Sequence, residues 1–272
     1  MTIYRALSIA GSAARGGAGI QADIKTFQEL DVFGMTAVTA IVASHPEKGN
    51  CVYTQSIEAI EAQFYTAFHD IGLDALKTGM LFSNEIIERT ARLLAESQVK
   101  NIVVDPVIIG KMGSQLLKDD AIEMMKSKLI PQAAIITPNM PEAARLLGIP
   151  EITSISEMKE AAAELHKLGP AYVLVKGGRL KGPAIDILYD GQTFKQLGAD
   201  RIATIHTNGA GCTYSAAITA ELAKGKTMEE AVKKAKNFIT AAIRHSIAFK
   251  RGVGPTYHAA YRKYGEAAKE EQ

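Results

Sequence analysis

Short apolar runs alternate along the chain with longer segments in which apolar residues return every three to four positions. The runs "YRALSIA" (4–10), "MTAVTAIVAS" (35–44), "ALKTG" (75–79), "NIVVDP" (101–106), "AAIITP" (133–138), "AYVLVKG" (171–177) and "AIDILYD" (184–190) read as strands. Several are apolar on both faces, as strands buried inside a parallel sheet are. Between them, "AGIQADIKTFQEL", "SIEAIEAQFYTAFHDI", "NEIIERTARLLAES", "AIEMMKSKLI", "MPEAARLLG" and "SEMKEAAAELHKLG" keep a helical period. Two more helices are expected near 211–223 and 227–246. The second follows Thr227 with acidic residues in its first turn, which suit the positive end of a helix dipole.

This alternation predicts βαβ units: an α/β fold with a mostly parallel sheet and helices on both faces. Asp190-Gly191, between two strand-like runs, predicts a hairpin and so an antiparallel margin. No internal repeat, low-complexity tract or composition break interrupts the 272 residues, so one domain over 1–272 is expected. The closing "GEAAKEEQ" reads as a frayed polar tail.

Composition narrows the classes. A formal net charge of +2, with no basic tract or aromatic platform, argues against a nucleic-acid partner. No apolar run reaches the roughly 20 residues needed to span a bilayer, and "MTIYRALSIAGS" lacks a cleavage pattern, so no membrane partner or signal peptide is expected. Two cysteines, Cys51 and Cys212, make no disulfide framework and lack partners at metal-site spacing. A reducing cytoplasm is the expected compartment.

In doubly wound sheets ligands sit beyond the carboxyl ends of the strands. "GSAARGGAGIQAD", Gly11 to Asp23, follows a strand and opens a helix. Its glycines suit close approach to an anionic or polar ligand, or simply a tight turn. "NGAGCT", Asn208 to Thr213, predicts an anion-holding nest of amides at a helix start. Cys212 there would feel the dipole, which favours the thiolate; the alternative is a small residue packed under the turn. Cys51 falls in a polar loop after "PEKGN".

Asp105, Thr137-Pro138-Asn139, Glu142 and Lys176 cluster at strand ends. A lysine and carboxylates placed so can hold phosphates and Mg²⁺, while Asn139 and Glu142 also fit a capping box. His45, His206 and His258 are scattered and form no triad; Met80, Met112 and Met140 follow strands, where a methionine can line a pocket, though packing is the plainer reading. "GKMGSQ", 110–115, is expected to be a flap that closes over substrate.

"GGAGIQADIKTFQEL", "KTGML", "DPVI", "ITPNMPEA", "VKGG", "NGAGCTYSAAITAELAKG" and "GVGP" occur in this order over nearly the whole chain. Together they resemble the ribokinase-like vitamin kinases, in the branch of hydroxymethylpyrimidine (phosphate) kinases and cysteine-type pyridoxal kinases. The resemblance implies a three-layer ribokinase-like sandwich, ATP and Mg²⁺ as cofactors, a small-molecule vitamin substrate and a homodimer. The amides of Gly209, Ala210, Gly211 and Cys212 would form the anion hole, with Cys212 in the place of the usual aspartate base. Lys176, Asn139, Thr213 and Glu142 would meet ATP and its phosphates, and Asp105 and Glu142 the metal. Gly11, Gly19, Asp23, Ser44, Met80 and Val107 match positions around the substrate ring.

Three positions depart from the family pattern. Gly11-Ser12-Ala13-Ala14-Arg15 lacks the usual aspartate, Ser44-His45 stands where the pyrimidine kinases carry a glutamine, and Gly110 stands where many cysteine-type pyridoxal kinases carry a second cysteine. The implied activity is phosphorylation of the 5′-hydroxymethyl group of pyridoxal, pyridoxine or pyridoxamine. The alternatives are a hydroxymethylpyrimidine or phosphomethylpyrimidine kinase and a non-catalytic vitamin-binding protein.

Overall fold

β1 (Tyr4–Ala13) is buried from Ala6 to Gly11 without alternation, so both of its faces are covered. It pairs in parallel with β2 (Val32–His45) on one side and β4 (Ala75–Thr78) on the other. β3 (Gly49–Thr54) folds back antiparallel on β2, giving the order β3-β2-β1-β4. The computed structural model describes residues 2–110, 117–250 and 252–265. They fall into two units, Met1–Gly79 with Ile202–Gln272, and Met80–Arg201; these strands belong to the first.

In that unit α1 (Ile20–Glu29) packs on β1 and β2, and α2 (Ile57–Tyr65) on β2. α7 (Ala210–Ala223) lies against β1, β4 and α1, and is buried at every residue from Thr213 onward. Its small side chains let it sit wholly inside, because a helix apolar all round has no face for water. α8 (Met228–Arg244) covers α7, and the short α9 (Ala260–Tyr264) covers α8. Thr227 caps α8 by accepting from the Glu230 amide, which confirms the expected start.

The second unit has the order β5-β6-β7-β8-β9. β5 (Ile102–Val104), β6 (Ile135–Ile136) and β7 (Tyr172–Val175) are parallel, and β8 (Ala184–Tyr189) and β9 (Phe194–Ala199) are antiparallel. Its helices are α3 (Asn84–Ser97), α4 (Asp119–Met124), α5 (Met140–Leu147) and α6 (Ile155–His166), with α6 packed on β7 and β8. The Asp190-Gly191 hairpin forms as expected. The amides of Gln192 and Thr193 donate to the Asp190 carboxylate and hold its pKa at about 2.

The chain differs from the sequence-based expectation in several places, among them the expected helix over 56–71, which ends as α2 at Tyr65 and runs on as a π turn (Thr66–Ile71). Cys51 lies in β3 opposite Ala43, not in a loop, because pairing with β2 extends "GNCVYT". β2 itself starts at Val32, before the apolar run at 35. The helix expected over 121–130 ends as α4 at Met124 and passes through a π turn (Met125–Leu129) into a 3₁₀ turn (Ile130–Gln132); Pro131 has no N–H with which to continue the ladder. The short α9 has no counterpart among the expected helices. Among the described residues no helix is long and apolar enough to cross a membrane. Residues 111–115 of the expected flap, and Met112 with them, lie outside the described residues.

Candidate active site

In the second unit, three parallel strands and the helix after β6 bring four of the expected residues together. Asp105 follows β5 and is 2% exposed. Its Oδ1 accepts from Lys176 Nζ at 3.0 Å and from Thr137 Oγ1 at 3.1 Å. Lys176 follows β7, and its backbone bridges to Asn139 at the end of β6. Asn139 caps α5: its Oδ1 accepts from the Glu142 amide at 3.0 Å, and Glu142 Oε2 accepts from the Asn139 amide at 2.9 Å.

The capping box is therefore real, yet it does not exhaust Glu142. That carboxyl is 4% exposed, and its pKa is pushed up to about 7. Burial is the main cause and the neighbouring Asp105 carboxylate adds to it, while Lys176 and the amides of Asn139 and Ile108 oppose them. The Lys176 ammonium thus lies beside two buried carboxyls. Among the described residues no three His, Cys, Asp or Glu side chains gather as a metal cluster. The Asp105 and Glu142 pair nevertheless fits Mg²⁺, which takes one or two carboxylates and fills its other positions with phosphate oxygens and water. Val107 and Met80 are half-buried, Val107 in the turn directly after Asp105.

In the first unit the two glycine-rich turns meet. Gly19 caps α1 at φ 59°, and a Cβ there would lie 2.1 Å from the Gly11 carbonyl oxygen. Gly209 caps α7 at φ 78°, and a Cβ there would lie 1.7 Å from the Gly17 carbonyl oxygen. Only glycine meets both demands, of conformation and of space. The Ala210 amide donates to Thr207 O at 3.2 Å and the Thr213 amide to Gly209 O at 2.8 Å, with the Gly211 and Cys212 amides between them in the first turn. Cys212 is half-buried and forms no disulfide.

Beneath this turn lies a buried ion pair. Asp23 on α1 and Lys77 on β4 are both 0% exposed, and Lys77 Nζ lies 2.8 Å from Asp23 Oδ1. Ser8 Oγ donates to Asp23 Oδ2 at 2.6 Å, and Lys77 Nζ reaches the Cys212 carbonyl at 3.5 Å. Asp23 thus serves the fold as the counter-ion of Lys77. Sequence reasoning missed Lys77; the available signal was a lysine inside an otherwise buried strand, which demands a partner. Thr213 is wholly buried, with its hydroxyl against Thr256 and His258. His258 is accordingly a bonded core residue, the plain alternative to a catalyst. Ser44 lies exposed near the end of β2, where it pairs with Asn50 of β3 and its hydroxyl donates to Asn50 Oδ1 at 2.7 Å.

A family profile described as phosphomethylpyrimidine kinase matches residues 14–257. The chain belongs to this family of ATP-dependent phosphotransferases. It is 48% identical over 266 residues to a pyridoxine kinase of Bacillus subtilis, covering 96% of this chain and 98% of that one. It is also 44% identical over 265 residues to a hydroxymethylpyrimidine/phosphomethylpyrimidine kinase of the same organism, covering 97% of each. Among solved structures, the Staphylococcus aureus pyridoxal kinase in complex with AMP-PCP and pyridoxal superposes with a TM-score of 0.90 at 42% identity, over 97% of this chain and 96% of that one. The chain therefore has the ribokinase-like α/β fold, as its motifs imply.

Proposed function

We propose that this enzyme transfers the γ-phosphoryl group of MgATP to the 5′-hydroxymethyl group of pyridoxal, and of pyridoxine and pyridoxamine. The observation that carries the proposal is the turn at the start of α7. Gly209 is fixed there by its positive φ and by the Gly17 carbonyl, and Cys212 is partly exposed where a base is needed. The likeness to a pyridoxal kinase holding AMP-PCP and pyridoxal supports the choice of substrate.

In the second unit Lys176 would neutralise phosphate oxygens, and Asp105 and Glu142 would hold Mg²⁺, with Asn139 fixing the Glu142 carboxylate. When bound, the metal screens the charge of the phosphates. In the first unit the Gly211 and Cys212 amides stabilise the charge on the transferring group, as oriented dipoles do best where water is excluded. Cys212 takes the proton from the attacking hydroxyl late in the transfer, which asks for positioning more than for covalent work. Gly11, Gly19, Asp23, Ser44, Met80 and Val107 are the positions that the family resemblance assigns to the substrate ring. A homodimer in a reducing cytoplasm completes the proposal, with no nucleic acid or membrane as partner.

A second reading, a hydroxymethylpyrimidine or phosphomethylpyrimidine kinase, has the 44% identical relative and the family description in its favour. Coupled ADP release with MgATP, run side by side on pyridoxal, pyridoxine and hydroxymethylpyrimidine, decides between them. Preference for the pyridoxal group supports the proposal, and preference for the pyrimidine overturns it. No turnover with any of them would leave a vitamin-binding protein.

A further inference from the structure

The first turn of α7 is held by polar contacts that phosphoryl transfer does not itself use. Thr213 follows Cys212 directly. Its amide donates to the Gly209 carbonyl at 2.8 Å, and its hydroxyl lies 3.1 Å from His258 Nε2 and 3.3 Å from the Thr256 hydroxyl. Thr213 and Thr256 are 0% exposed and His258 is 6% exposed. The segment carrying Thr256 and His258 also grips the turn through its backbone. The Asn208 amide donates to Gly254 O at 3.1 Å, the Thr256 amide to Asn208 O at 3.3 Å, and the Gly254 amide to His206 Nδ1 at 2.9 Å. Residues 254–258 thus hold both flanks of Gly209.

Apolar side chains would fill this space with less risk, since a buried polar group left unbonded is destabilising. Hydrogen bonds add direction, which apolar packing lacks. α7 presents small residues to its surroundings, so shape alone constrains its rotation weakly. His258 also works without charge. Burial, and then the nearby Lys25, push its pKa down to about 4, with Glu29 opposing. It is therefore a neutral hydrogen-bonding group at neutral pH.

We propose that His258 is a positioning residue for phosphoryl transfer: through Thr213 it fixes the orientation of the first turn of α7, and with it the Gly211 and Cys212 amides and the Cys212 thiol. This rests on the kinase reading above. It goes beyond it in giving a role to a histidine that touches neither substrate nor nucleotide in the proposed chemistry.

The test uses full-length enzyme in a Cys51→Ser background, in which Cys212 is the sole thiol. Three quantities are read: kcat and KM by ADP release, the rate of Cys212 alkylation by iodoacetamide, and Tm. In His258→Phe, kcat should fall at least ~10-fold with both KM values within about 3-fold, because small displacements of a reacting group cost rate more than binding. Cys212 alkylation should change at least ~3-fold in the same variant, as thiol reactivity follows its surroundings. His258→Gln, whose amide reaches the place of Nε2, should restore both. A merely structural histidine would lower Tm and leave kcat and alkylation at their parent values; that result overturns the proposal.

If the parent enzyme turns over no vitamin, the kinase reading fails and the alkylation series decides alone. A changed rate rescued by Gln supports the positioning of Cys212, and an unchanged rate overturns it. If His258→Phe does not fold, Thr256→Val replaces it. Smaller changes in the same direction then support the proposal, and parent-like kcat and alkylation overturn it.

Discussion

Replacing Lys77 by Met should destabilise the protein severely. The ammonium lies 2.8 Å from Asp23 Oδ1, and both side chains are 0% exposed. The substitution conserves most of the side-chain length and removes the charge, leaving the buried carboxylate without its cation. Removing one partner of a buried pair costs roughly 3–5 kcal/mol, because the remaining charge stays buried without the partner that balanced it. That is a large share of the roughly 5–15 kcal/mol that holds a folded protein together. Urea denaturation of both proteins at pH 7.5 measures it directly. The double variant Lys77→Met, Asp23→Leu removes both charges and should recover most of the loss, since an apolar pair of similar volume is often no worse than the ion pair it replaces. The single variant should regain stability as the pH falls toward 4, where an isolated buried carboxyl escapes its penalty by taking up a proton. A loss below about 1 kcal/mol at pH 7.5 would refute the reasoning, because that is the range of exposed pairs.

Glu142→Gln should stabilise the protein at alkaline pH. The pKa of Glu142 is raised from 4.5 to about 7, so the folded state binds its proton more tightly than the unfolded state. The resulting stability is fully present below pH 4.5 and is lost as pH rises through about 7, a swing of roughly 3 kcal/mol. The variant should lack this swing in denaturation at pH 5 and pH 8, and a difference from wild type that does not grow with pH counts against it. Cys212→Ala should fold normally and lose at least ~10²-fold in kcat, as loss of a general base does; near-normal turnover removes the assigned role. Gly209→Ala, with its Cβ 1.7 Å from the Gly17 carbonyl, should displace the turn and cost ~10²-fold or more in kcat, measured by ADP release. Thr227→Ala should cost about 1 kcal/mol in denaturation and leave kcat unchanged, because it removes only the cap of α8.

The central strands were legible because they are buried on both faces, and an unbroken β-branched run such as "NIVV" at a turn boundary suits little besides a covered strand. β3 was not legible. Its six residues are exposed or half-buried, and only pairing with β2 makes "GNCVYT" a strand. The cluster of Asp105, Asn139, Glu142 and Lys176 could be read because a topological rule places ligands at strand ends, and each residue sits at such an end. The contacts of Lys77 and His258 followed no local pattern. Lys77 meets Asp23 across 54 positions and His258 meets Thr213 across 45, and nothing near either residue names its partner. Burial could be guessed from the neighbours of Lys77; the identity of the counter-ion could not.

Three capping boxes in this chain show why a motif alone does not decide function. Asn139 with Glu142, Ser154 with Glu157 and Thr227 with Glu230 make the same reciprocal pair of bonds. In Glu157 and Glu230, which are exposed, the bonds from Thr153 and Thr227 lead in holding the carboxyl below its ordinary pKa. In Glu142 the same kind of bond is outweighed by burial and by Asp105, and the pKa moves the opposite way. The sequence rule describes the local geometry in all three cases equally well. What separates them is where β5 and β7 carry Asp105 and Lys176, which no window around Asn139 contains. The box at α5 then has two uses at once. It ends the loop after β6, and it fixes the direction of a carboxyl that burial has pushed above its ordinary pKa.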